Sequence, residues 1–213
     1  MQGRERSSAK ARGRFVVLDG IDGCGKSTQA ALLVAELARS IGAAVLHLRE
    51  PGSTAVGEKL RALLLSREHQ LSAAVETLLF AAARRQMLDE LVAPALQRGE
   101  HVVCERFHPS TFAYQAVAGG LPENDVLALL QRWSGQPAPD LVLWLDLAAD
   151  TAVVRRGVAS DRIEDRGLEF QRAVARGYAR YAELVPSVVR IDASRGADEV
   201  AESIWREVQR ARA

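Results

Sequence analysis

Gly20, Gly25, Lys26 and Ser27 are spaced as G-x-x-x-x-G-K-[ST] within FVVLDGIDGCGKSTQ, Phe15 to Gln29. That spacing is chemistry for a polyphosphate. Glycines let the backbone turn tightly and approach phosphates with no side chain between. The N–H groups of the loop, and of the helix it opens, point at the anion. Lys26 adds a mobile charge for the outer phosphates, and Ser27 offers a hydroxyl to magnesium. The candidate cofactor loop is Gly20, Ile21, Asp22, Gly23, Cys24, Gly25, Lys26, Ser27 and Thr28.

Three further clusters carry charge where a phosphate-loop protein would use it. Arg49 and Glu50 precede Pro51-Gly52, at the carboxyl end of an apolar run, where open α/β sheets place their ligands. Glu105-Arg106 follows another such run. Its carboxylate could hold magnesium through water, and its guanidinium could fork onto a phosphate. Phe80 and Arg84 are four apart on a helix, with Glu76 one turn before, a face suited to a planar base and a polar neighbour. The plainer alternatives are a turn with solvated charges, a surface ion pair and a core phenylalanine.

The elements that position these residues alternate along the chain. Apolar runs at Phe15–Leu18, Ala43–Leu48, His101–Cys104, Leu141–Leu147 and Val188–Asp192 read as buried strands. Helical spacing spans Thr28–Ile41, Val56–Leu65, Leu71–Gln97, Pro122–Trp133, Leu168–Val185 and Ala197–Arg210, and a helix begins at Asp150. On the long helix the expected core stripe is Leu71, Val75, Leu78, Leu79 and Ala82. The alternation predicts an α/β fold, a parallel sheet with helices on both faces. GVASDRIEDR, Gly157–Arg166, is charged and poor in apolar residues, and is expected to be a mobile surface segment whose arginines could close over a triphosphate.

The 213 residues suffice for one domain with a sizeable core. A formal net charge of +1 demands neither nucleic acid nor a membrane surface as partner. No apolar run approaches the roughly 20 residues of a spanning helix. The first residues, MQGRERSSAKARGR, have no apolar segment of a secretory signal and are expected to form a flexible basic tail, 1–13, before a domain over 14–213. Two cysteines, Cys24 and Cys104, without a signal suggest a reducing cytoplasm. A thiolate at Cys24 is one reading; a small residue that fits the loop is the plainer one.

Gly20–Gln29, Arg49-Glu50-Pro51-Gly52, Leu78-Leu79-Phe80 with Arg84, Glu105-Arg106 through Ala113-Tyr114-Gln115, and Asp161-Arg162-Ile163-Glu164 occur in the order and spacing of bacterial thymidylate kinases. The chain resembles that family over nearly everything after the tail. The resemblance implies a five-stranded parallel sheet of the phosphate-loop kinase type, a homodimer, and transfer of the γ-phosphoryl group of ATP to dTMP with Mg²⁺. It implies that Phe80 stacks on thymine, Arg84 contacts the base or its phosphate, and Arg106 grips the acceptor phosphate. Thr111 would meet the pyrimidine edge, with Gln115 beside it in the motif, and Tyr114 would crowd the sugar's 2′ position. Asp22 would sit near the acceptor's sugar and phosphate. Arg155, Arg156 and Arg162 would belong to a lid near 155–166, and Ser27 and Glu105 would serve the metal, Glu105 through water. Glu105 stands where aspartate is usual, and Gly23 where another branch places an arginine. A kinase for another nucleotide and a non-catalytic ATP switch are the competing readings.

Overall fold

The computed structural model describes residues 12–42, 44–158 and 161–211. In chain order its elements are β1 (Phe15–Asp19), α1 (Lys26–Ile41), β2 (Val45–Arg49), α2 (Ala55–Leu65), α3 (Ala73–Met87), a π-helical turn (Leu88–Val92), α4 (Ala93–Gln97) and β3 (His101–Glu105). There follow α5 (His108–Thr111), a second π-helical stretch (Phe112–Val117), α6 (Glu123–Ser134), β4 (Leu141–Asp146), α7 (Ala149–Arg156), a 3₁₀ turn (Glu164–Arg166), α8 (Gly167–Leu184), β5 (Val188–Asp192) and α9 (Ala197–Arg210). The strands form one sheet in the order β2-β3-β1-β4-β5, every pairing parallel. This is the expected α/β architecture.

All five residues of β1 are buried, because both faces of the central strand are covered. Phe15 and Val17 pack with Met87, Leu88, Val92 and Leu96 in one layer. Val16 and Leu18 pack with Leu33, Leu37, Leu143 and Tyr178 in the other. The alternation of a strand thus builds two cores from one segment. It also delivers the carboxyl ends of β1, β2 and β3 side by side, and the charged clusters leave from there.

The long helix differs from its sequence reading. It begins after Ser72, whose hydroxyl caps the Val75 N–H at 3.3 Å. It breaks its α pattern at the π-helical turn ahead of Pro94, which has no N–H to close an α-helical bond. The expected core stripe is corrected more sharply. Val75, Leu78 and Ala82 are exposed, while Glu76, Thr77, Ala83, Arg84 and Met87 face inward. Glu76 and Arg84 are buried because each finds a partner inside, while Leu71 and Leu79 of the expected stripe are only half-buried.

Gly13 is buried, its N–H on Leu96 O, and Arg12 pairs with Asp140 at 2.8 Å; the rest of the expected tail lies outside the described residues. Of the segment 157–166, Ala159 and Ser160 also lie outside them. Its described end is tied down: Ile163 is buried, and Arg162 donates to Leu64 O at 2.8 Å.

Candidate active site

The loop after β1 is built on glycine where nothing larger fits. At Gly23, φ is 89°, and a Cβ would lie 2.1 Å from Ala152 O. An arginine is therefore sterically barred from this loop position. Lys26 is buried, and its Nζ donates to Gly20 O and Ile21 O, each at 2.9 Å. Ser27 Oγ donates to Glu105 Oε2 at 2.5 Å, so the hydroxyl expected at a metal and the carboxylate expected at its waters converge.

Asp19, fully buried at the end of β1, organises the opposite wall. It accepts from Phe107 N at 2.8 Å, Ser110 N at 3.1 Å, Ser110 Oγ at 2.6 Å and Tyr178 OH at 2.8 Å. These bonds pin the turn after β3. There Arg106 is held at φ 69°, a left-handed conformation that costs a non-glycine residue about 1 kcal/mol or more. Its guanidinium pairs with Asp22 and donates to Ser110 Oγ at 3.1 Å. Asp22 also accepts from Tyr114 OH at 2.7 Å and lies 3.8 Å from Lys26 Nζ. Burial alone would raise the Asp22 carboxyl; Arg106, Lys26 and Tyr114 outweigh it and hold it at about 2.

Two hollows meet at this cluster. One is lined by Asp22, Gly23 and Gly25 to Thr28 of the phosphate loop, with Arg49, Glu105 and Arg155. The other is lined by Phe80, Arg84, Thr111, Tyr114 and Gln115 and is roofed by Asp161, Ile163 and Glu164. Asp22, Glu50, Arg61 and Arg106 line both. Of the residues expected to bind the two nucleotides, Gly20, Ile21, Cys24, Arg156 and Arg162 line neither hollow; the others border one or both.

Arg84, 1% exposed, donates from Nε to Glu50 Oε2 at 2.7 Å and from Nη2 to Phe107 O at 3.0 Å and Thr111 Oγ1 at 3.1 Å. Arg84 Nη1 and Glu50 Oε1 are buried without hydrogen-bond partners. Buried polar atoms left so are rare and ask for a reason. Burial raises the Glu50 carboxyl and Arg84 pulls it back, leaving it at about 7.

The three lid arginines diverge. Arg155 donates to Ala193 O at 2.8 Å and Ser194 O at 3.1 Å beside the phosphate-loop hollow. Arg156 packs over Gly23, with Nε and Nη1 buried and unpartnered. Arg162 turns the other way, its Nη1 2.7 Å from Glu76 Oε1. Glu76, fully buried, also takes Arg166 and Gln115 Nε2, the latter at 3.0 Å. Cys24 is buried, which raises its thiol, so the plain packing reading of this residue holds.

Sequence reasoning gave Asp19 no role in the site, passed over Arg61 and saw Glu76 only as a neighbour of Phe80. Their signal was weak: Asp19 ends a strand, Arg61 is one arginine among many, and the burial of Glu76 depends on contacts from residue 115 and residues 162–166.

A family model described as thymidylate kinase matches residues 18–204. A protein of Synechococcus sp. (strain JA-3-3Ab) named thymidylate kinase is 43% identical over 196 residues, covering 92% of this chain and 95% of that one. One of the same name from Alkalilimnicola ehrlichii is 42% identical over 194 residues, covering 89% of each. A third, from Neisseria gonorrhoeae, is 43% identical over 195 residues, covering 90% of this chain and 94% of the relative.

Proposed function

The chain belongs to the thymidylate kinase family, and on that premise we propose how its residues divide the reaction. It phosphorylates dTMP to dTDP with ATP as donor. The observation that carries the division of roles is the junction of the two hollows at Asp22 and Arg106.

ATP takes the phosphate-loop side. Backbone N–H groups of Gly20 to Thr28 and Lys26 Nζ receive its phosphates; Lys26 exchanges its present carbonyl partners for them. Arg155 and Arg156 close on the donor, and the unpartnered Arg156 atoms support that role. Arg162 joins them by leaving Glu76.

dTMP takes the other hollow. Phe80 forms a wall for thymine. Arg84 Nη1 and Glu50 Oε1 offer one donor and one acceptor to the edge of the base, beside Thr111 and Gln115. Tyr114 stands at the sugar and favours deoxyribose, and Asp22 orients the sugar and phosphate. Arg106, with Arg49 nearby, holds the acceptor phosphate.

Mg²⁺ fits this site. Among the described residues no group of three or more His, Cys, Asp and Glu side chains could hold a metal unaided. Mg²⁺ keeps several waters and binds substrate phosphates with one or two protein oxygens, which Ser27 and, through water, Glu105 supply. Bound there, the ion would neutralise charge on the donor's phosphates.

The step needs no general base, because the attacking dTMP oxygen is already anionic near neutral pH. Its bond to the γ-phosphorus forms as the bond from that phosphorus to the β-bridging oxygen breaks, and the electron pair leaves with ADP. Lys26, Arg106 and the lid arginines suppress repulsion between the two polyanions and align them. Product analysis with ATP, Mg²⁺ and a panel of nucleoside monophosphates tests the assignment. dTDP should dominate; faster turnover of a purine monophosphate would overturn the base pocket.

The outward stripe of Val75, Leu78 and Ala82 supports a homodimer that covers it. No helix among the described residues is long and apolar enough to cross a membrane, and the two free, buried cysteines support a cytoplasmic site of action.

A further inference from the structure

The Glu105 carboxylate is gripped at both oxygens. Ser27 Oγ donates to Oε2 at 2.5 Å, and His47 Nε2 lies 3.0 Å from Oε1. A carboxylate only accepts, so the hydrogen of this contact sits on Nε2 of the imidazole. The two partners come from different elements, Ser27 from the first turn of α1 and His47 from the edge strand β2. The β2–β3 register sets Arg49 opposite Glu105 and His47 opposite Val103, so His47 reaches the acid diagonally from two residues back.

We propose that His47 is a positioning residue for the metal, aiming the Glu105 carboxylate so that Oε2 meets Ser27 and the waters of the bound ion. The proposal rests on the reading that Glu105 serves Mg²⁺ through water. A glutamate has one more rotatable bond than an aspartate and would swing unless held. Oε1 tethered to a strand turns the other oxygen, which Ser27 meets, toward the loop. Ser27, by donating its proton to Oε2, keeps its lone pairs available to a cation. His47 has no comparable duty in the core, since its side chain is 37% exposed at the sheet edge. Outer-sphere partners of this kind set metal affinity by about tenfold or more.

The test is Mn²⁺ retention, read by electron paramagnetic resonance on the full-length chain saturated with ADP, alongside melting temperature. His47→Ala should weaken Mn²⁺ retention about tenfold, and His47→Gln, which keeps a donor, should restore most of it. Both should melt with the unmodified protein and bind dTMP equally well. Unchanged retention in His47→Ala, with retention lost in Glu105→Ala, would overturn the role of His47 and leave the metal reading standing. Unchanged retention in Glu105→Ala would overturn the metal reading itself. A weakening in His47→Ala that His47→Gln fails to repair would also count against a donor role.

Discussion

Arg84 and Glu50 form a buried ion pair across the wall of the acceptor hollow, with Nε and Nη2 of the arginine 2.7 and 2.5 Å from one glutamate oxygen. One donor of the arginine and one acceptor of the glutamate remain unspent. The pair is oriented by Thr111 and the Phe107 carbonyl, so its geometry exists before a base arrives. Removing one member of such a pair leaves a buried charge uncompensated, at about 3–5 kcal/mol. Arg84→Ala should therefore lower both stability and dTMP affinity, measured by urea unfolding and by calorimetric titration.

The same pair predicts a pH signature. Burial raises the Glu50 carboxyl from 4.5 to about 7 against the pull of Arg84. Its folded value exceeds its unfolded one, so the folded chain holds this proton more tightly between about 4.5 and 7. The contribution of Glu50 to stability is then present at low pH and lost as pH rises through 7. His108 acts in the opposite sense. Burial, then Arg84, lower its imidazole from 6.5 to about 3, so its contribution is lost as pH falls below 6.5. The two slopes oppose each other between about 4.5 and 6.5. The difference in unfolding free energy between the unmodified chain and Glu50→Gln isolates the first: it should favour the unmodified chain more at pH 5 than at pH 8. By proton NMR, the His108 ring should not titrate between pH 8 and pH 5.

Lys26→Ala should reduce kcat by roughly 10²-fold or more, the scale of losing a positioned charge in a dry site. Its present partners are on the phosphate loop, away from Phe80 and Thr111, so dTMP should still bind. Equal losses of dTMP binding and turnover would contradict the division between the two hollows.

Glu76 clasps Arg162 and Arg166 and so holds the roof of the acceptor hollow, while Arg67 pairs with Asp165 at 2.6 Å outside. Glu76→Gln should speed amide hydrogen exchange over residues 161–166 and raise KM for dTMP more than it lowers kcat. Exchange unchanged in that segment would mean that Glu76 does not hold the roof, and that Ile163, the Leu64 carbonyl and the Arg67–Asp165 pair suffice.

Leu78, 58% exposed on α3, is the place to test self-association. Leu78→Glu should convert a dimer to a monomer in sedimentation equilibrium without loss of secondary structure. A monomeric unmodified chain would show that the stripe serves something else.

The order of strands and helices, the phosphate loop and the charged ends of β2 and β3 were legible in the linear chain. Each is local: a strand is a short apolar run, and a loop that binds phosphate needs glycine at set intervals, as Gly23 illustrates. The direction of α3 was not legible, because periodicity counts apolar residues and Glu76 and Arg84 are buried through partners distant in sequence. Tertiary structure alone decided that Asp19 would cage the turn carrying Arg106, that Arg162 would rest on Glu76, and that His47 would meet Glu105. A buried charge is stable only where opposite charges and donors converge on it, and that convergence comes from folding, not from spacing along the chain.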